Sequence, residues 1–114
     1  GEPATIGFSG TAQYDFAPDV ARAFLMAAAS SRGGAAVYNA PGAVASVAEV
    51  VETIRAAVPG AELDWGGDPL PFPPELEAVG FDRDVGPFPR TSLADGVAAT
   101  VAHFRAAAPP PRLA

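Results

Sequence analysis

The chain has 114 residues and no cysteine, which bounds it to about one domain without disulfides, thiolate metal sites or a thiol nucleophile. Its net charge is −6 and its seven cations, all arginine, are scattered singly, which argues against nucleic acid or an anionic membrane as partner. The lack of lysine also removes Schiff-base chemistry and any lysine-assisted tyrosine.

In chain order, residues 4–8 (ATIGF) are a short strand candidate, and Gly7-Phe8-Ser9-Gly10 supplies a turn. Tyr14 and Phe16 alternate with Gln13 and Asp15, the period of a half-buried second strand. Pro18 then suits the first position of a helix, and Asp19 places negative charge at the positive end of the helix dipole. Val20, Phe24 and Ala27/Ala28 form the stripe expected to face a core, and Ser30-Ser31-Arg32-Gly33-Gly34 ends the helix. Residues 35–39 (AAVYN) are a third strand candidate, closed by a turn over Asn39-Ala40-Pro41-Gly42.

The clearest helix follows. Ser46 and Glu49 have capping-box spacing, and Val47, Val50, Val51, Ile54 and Val58 share one face before Pro59-Gly60. Residues 61–65 (AELDW) alternate as a fourth strand, and residues 69–90 are rich in proline, with one short helical turn expected in PELEAVGF. Leu70, Phe72, Leu76, Phe81 and Phe88 are the side chains available to pin this extended path to the surface. Ser92 and Asp95 start a last helix with the stripe Leu93, Val97, Val101, Phe104, and Pro109-Pro110-Pro111 stops it. The order β-β-α-β-α-β-loop-α predicts a small mixed α/β lobe of short strands and about three helices over 1–108, with a proline-rich tail at 109–114. No apolar run reaches the ~18 residues of a bilayer span and no secretory leader is apparent, so the expected location is cytoplasmic, away from membranes.

The residues offer no self-contained catalytic set. His103 lies off the apolar stripe of the last helix with no patterned carboxylate, and receives no role. The scattered acids give no metal-ligand spacing, and the pairs Asp82/Asp84 and Glu75/Glu77 read as solvated charge. Gly7-Phe8-Ser9-Gly10 falls short of a phosphate-binding fingerprint, and Gly33-Gly34 follows a helix instead of preceding one. Pro71-Phe72-Pro73-Pro74 fits the P-x-x-P pattern of adaptor ligands, but no arginine flanks it closely. No catalytic, cofactor-binding or metal residue is therefore assigned.

Four segments together, QYDFAPDVARAFLMAA, AAVYNAPG, ASVAEVVETIRAAVPG and PRTSLADGVAATVAHFR, resemble the C-terminal half of extended short-chain dehydrogenases/reductases, the NAD(P)-dependent epimerase/dehydratase family. The matches run from the Tyr14–Ala21 joint through Val37–Gly42 and Ser46–Val50 to Thr91–Gly96, over roughly residues 5–106. The resemblance implies the C-terminal part of a Rossmann-type protein: a lobe that closes over substrate. The missing Rossmann domain would carry NAD or NADP and the Tyr-x-x-x-Lys pair. This chain alone is then expected to bind no coenzyme and to be inactive. Where nucleotide-sugar epimerases of the family grip the diphosphate with arginine, this chain has Ala12 and Trp65. The implied substrate is therefore a sugar, sugar acid or related hydroxy/carbonyl compound, and Tyr14, Trp65 and Asp68 are the candidate substrate-binding residues. A free-standing, non-catalytic binding or interaction module with the same fold is the alternative.

Overall fold

A computed structural model describes residues 2–107 of the chain. It is a small mixed α/β protein with four helices and four short strands among those residues: β1 (Ala4–Ile6), β2 (Thr11–Tyr14), α1 (Ala17–Ala29), β3 (Ala43–Ser46), α2 (Val47–Ala57), β4 (Leu63–Trp65), α3 (Val79–Asp84) and α4 (Leu93–Ala107). The strands form two separate ladders. β1 pairs in parallel with β4 in the register Ala4↔Leu63 to Ile6↔Trp65, and β2 pairs antiparallel with β3 from Thr11↔Ser46 to Tyr14↔Ala43.

Helix α2 is the hub. The Ser46 hydroxyl accepts the Glu49 N–H while the Glu49 carboxylate accepts the Ser46 N–H at 2.7 Å, so the expected capping box is present. Val47, Val50 and Val51 are buried, and with Ala45 of β3 they make the first of two small cores. The second core lies under α1, where Ala23, Phe81 and Phe88 are buried against Met26, Tyr38, Ala40 and Val85. Its rings meet edge to face, Tyr38–Phe81 at 5.6 Å and Phe81–Phe88 at 5.1 Å between centroids.

Two contacts tie α1, over the second core, to α4, which packs on α2. Asp19 of α1, only 8% exposed, accepts the Thr91 N–H at 2.6 Å at the approach to α4. Gly96 of α4 is buried against the Phe16 ring, where a Cβ would lie 3.4 Å from a ring carbon. The Cα radius of gyration is 17.2 Å, against about 13 Å for a compact chain of ~100 residues. With extents of 58 × 36 × 19 Å the molecule is a slab.

Several expectations need correction. Residues 35–39 form no strand; the third strand is Ala43–Ser46, after the expected turn, so Ser46 ends a strand and caps a helix at once. The first strand stops at Ile6, and the second at Tyr14 because Phe16 is already the N-cap of α1. Apart from half-buried Val20, the stripe of α1 is turned outward. Phe24 keeps 74% of its surface in solvent and Leu25 71%, while the inward face belongs to Asp19, Ala23 and Met26. On α4, Leu93, Val97 and Val101 are half-buried but Phe104 is exposed. Only Phe81 and Phe88 pin the proline-rich segment; Leu70, Phe72 and Leu76 stay exposed, and the helical turn lies at 79–84. The expected helix stop at Pro109 and the tail at 109–114 lie outside the described residues. No helix of the described residues is long and apolar enough to cross a membrane.

Candidate functional site

The loop after β1 and the loop after β4 are built against each other. The parallel ladder carries into them: the Gly66 N–H donates to Ile6 O at 3.0 Å, the Ser9 N–H to Asp68 O at 3.2 Å, and Ser9 bridges Pro69. Gly67 is required here, because its φ is +107° and a Cβ would sit 2.7 Å from Gly7 O. The Gly10 carbonyl accepts the Val47 N–H at 3.0 Å, tying the same loop to the start of α2. The result is a small platform on which Trp65, half-buried, and Asp68, exposed, stand three residues apart beside Phe8 and Ser9. An indole face can stack on a sugar ring, and a carboxylate can accept a hydroxyl hydrogen bond.

Tyr14 stands elsewhere. It closes β2 opposite Ala43, at the end of the strand away from that platform, about 10 Å along at the rise of an extended chain. Its ring lines an apolar cleft of 290 Å³ between α2 and α4, with Phe16, Val50, Ile54, Leu93 and Val97 among its neighbours. Burial raises the pKa of its hydroxyl above the ordinary phenol value, so it stays protonated and can only donate or accept a neutral hydrogen bond. Trp65 and the loop bearing Asp68 thus lie at the end of one ladder, and Tyr14 closes the other. Ala12 lies within the β2·β3 ladder, paired with Ala45.

A polar cluster that sequence reading missed surrounds the C-terminal end of α3. Asp82 and Asp84 are not solvated charges. The Tyr38 hydroxyl donates to Asp84 at 3.1 Å, Arg83 chelates both oxygens of the same carboxylate, and Arg32 lies 3.4 Å away. Asp82 accepts from the Phe88 N–H at 2.8 Å and from the Arg90 guanidinium at 2.7 Å. The Arg83 hydrogen bonds, and then that of Tyr38, hold the Asp84 pKa at about 2, and Arg90 followed by the Phe88 N–H lowers that of Asp82. Carboxylates held this firmly ionised are poor general acids or bases near neutrality; they fasten the 82–90 turn onto the second core. Tyr38 and Asp84 are 46 residues apart, and no local pattern announces such a pair.

No group of three or more potential metal ligands exists among the described residues. His103 is exposed on α4 with its ring edge-on to Phe104. What the arrangement offers is shape, stacking and hydrogen bonding. Comparison of the chain with protein-family models, with curated proteins and with solved structures found no match.

Proposed function

We propose that the chain is the substrate-binding lobe of an NAD(P)-dependent epimerase, dehydratase or dehydrogenase of the extended short-chain type. Its substrate is a sugar, sugar acid or related hydroxy/carbonyl compound. The coenzyme and the catalytic Tyr-x-x-x-Lys pair belong to a Rossmann domain outside these residues. The observation that carries the reading is the outward-turned face of α1. Phe24 and Leu25 stand in solvent on a helix whose inner side is already occupied by Asp19, Ala23 and Met26. Covering two such side chains contributes about 1.5–3 kcal/mol each, enough to hold a lobe against a neighbouring domain.

The substrate class follows from the platform. Trp65 and Asp68 offer a stacking face and a hydroxyl acceptor, and Ala12 and Trp65 stand where a diphosphate would call for arginine. Two titrations of the isolated chain test the proposal. Isothermal titration with NAD(H) and NADP(H) should show no saturable heat. The fluorescence of Trp65, the sole tryptophan, should change saturably with an aldonate or uronate and lose that response in Asp68→Ala. Saturable coenzyme binding, or turnover by the isolated chain with a nicotinamide coenzyme, overturns the proposal.

A further inference from the structure

The cleft of 290 Å³ between α2 and α4 has apolar walls, with Val50 and Ile54 on one side, Leu93, Val97 and Val101 on the other, and Phe16 beside them. Leu93, Val97 and Val101 recur every four residues along α4, as core side chains do, yet each is only half-buried. Helix α4 packs on α2, but the two do not close on each other here. Native interiors rarely keep a gap larger than a water molecule, whereas small-ligand pockets begin at about 300 Å³.

The few polar side chains lining the cleft decide what it accepts. Two are already engaged: the Ser92 hydroxyl donates to Asp95 at 2.6 Å, and that of Thr100 to Gly96 O at 2.7 Å. Asp15 is different. Its Oδ1 accepts from Gln13 Nε2 at 3.0 Å and lies so close to Gly42 that a Cβ there would collide with it and with Tyr14 O. The carboxylate is thereby held in place, but among the described residues its Oδ2 accepts no hydrogen bond and no arginine pairs with it. The hydroxyls of Tyr14 and Thr91 are also without partners among those residues. Tyr14 and Asp15 are consecutive where β2 ends, and the Asp19–Thr91 bond draws the approach to α4 toward the same joint. No cation lines the cleft.

Such a site has acceptors to spare and an unanswered negative charge beside an apolar hollow. A carboxylate ligand would meet Asp15 charge to charge, and a neutral one would leave that charge unpaired. An ammonium brings donors and the opposite charge together. We infer that the cleft binds a small organic cation, an ammonium on an apolar body of arylalkylamine size, with its charge on Asp15 and its body between α2 and α4. The site is separate from the Trp65–Asp68 platform and does not rest on the lobe reading.

Phenethylamine, phenylethanol and phenylpropionate carry similar apolar bodies and differ in charge. Each is titrated into the chain at low salt and neutral pH, with the isoleucine methyl groups followed by NMR. Ile54 reports on the cleft, and Ile6, the only other isoleucine, reports on the β1–β4 ladder as control. The amine should move Ile54 saturably, leave Ile6 in place and bind at least about threefold tighter than the alcohol, with the carboxylate weakest. Asp15→Asn keeps an oxygen for Gln13 and should remove the amine's advantage while leaving the alcohol's affinity unchanged. Val97→Trp fills the gap and should abolish the Ile54 response to all three; Asp15→Asn serves alone if that variant misfolds. An Ile54 signal that the amine does not move at ~10 mM overturns the inference. So does an advantage below about threefold, or one that survives Asp15→Asn. None of these results bears on the coenzyme or Trp65 titrations, so the two readings fail separately.

Discussion

Replacing Asp19 with alanine should destabilise the isolated chain by about 2–3 kcal/mol, a large effect for a residue that the sequence offers only as a helix-dipole partner. The carboxylate is almost wholly buried and receives the Thr91 N–H at 2.6 Å across 72 residues of chain. A hydrogen bond to a charged group contributes about 1.5–3 kcal/mol, and removing the acceptor also leaves a half-buried N–H unpaired. The dipole contribution of a first-turn carboxylate is smaller, about 0.3–1 kcal/mol. Asp19→Asn separates the two, since it keeps an acceptor oxygen without the charge, and should lose about 1 kcal/mol. For a chain near this size each kcal/mol moves the melting temperature by about 4–8 °C, so the alanine variant should melt about 10–15 °C lower. Urea and thermal unfolding followed by far-UV circular dichroism measure this. Thr91→Pro deletes the donor instead, and the double variant should be markedly less destabilised than the sum of the two singles. An alanine variant within about 0.5 kcal/mol of the parent, or additive behaviour of the pair, would refute the claim that this bond ties α1 to α4.

Other substitutions test the remaining joints. Ser46→Ala breaks the capping box at the start of α2 and should cost about 1 kcal/mol, read from urea midpoints. Asp84 titrates at about 2 in the folded chain and near the ordinary carboxylate value of about 3.9 when unfolded. Its contribution is therefore complete above about pH 4 and is lost as pH falls through the folded value, with Asp82 adding in the same direction. Urea midpoints taken across pH should fall below about pH 4, and Asp84→Asn should flatten that fall while lowering the plateau at neutrality. Leu25→Glu should leave the melting temperature within about 2 °C and reduce association on gel filtration, because Leu25 stands in solvent on the bare face of α1.

What the sequence disclosed was what is local. Helix α2 could be read to its cap because Ser46, Glu49 and the valine face lie within one stretch and need nothing from the rest of the chain. β4 and the last helix were legible for the same reason. Periodicity misplaces the face of α1 because it weighs side-chain size, and Val20–Phe24–Ala28 is the larger stripe. Which side turns inward is decided by Thr91 and by the Phe81–Phe88 pair, neither of which the helix announces. β3 was overlooked because Ala-Val-Ala-Ser has no large alternating residues, and its partner β2 lies across α1. Residues 35–39 are the converse case, a strand composition that finds no partner within the described residues. Of the candidate site, Trp65 and the loop bearing Asp68 lie at the end of one ladder, as their spacing allows, and Tyr14 closes the other. The Asp84 cluster depends on contacts too distant for any motif.

The parallel pairing of Ala4–Ile6 with Leu63–Trp65 also sets an order of events during synthesis. Unlike a hairpin, this ladder has no local nucleus, and its first strand stays without its partner until residue 65 has emerged. At ~5–20 residues per second the ribosome keeps that segment waiting for several seconds, far longer than a helix such as α2 needs to form. The platform bearing Trp65 and Asp68 therefore assembles only once residues 65–69 have emerged, after α1 and α2 but ahead of α3 and α4.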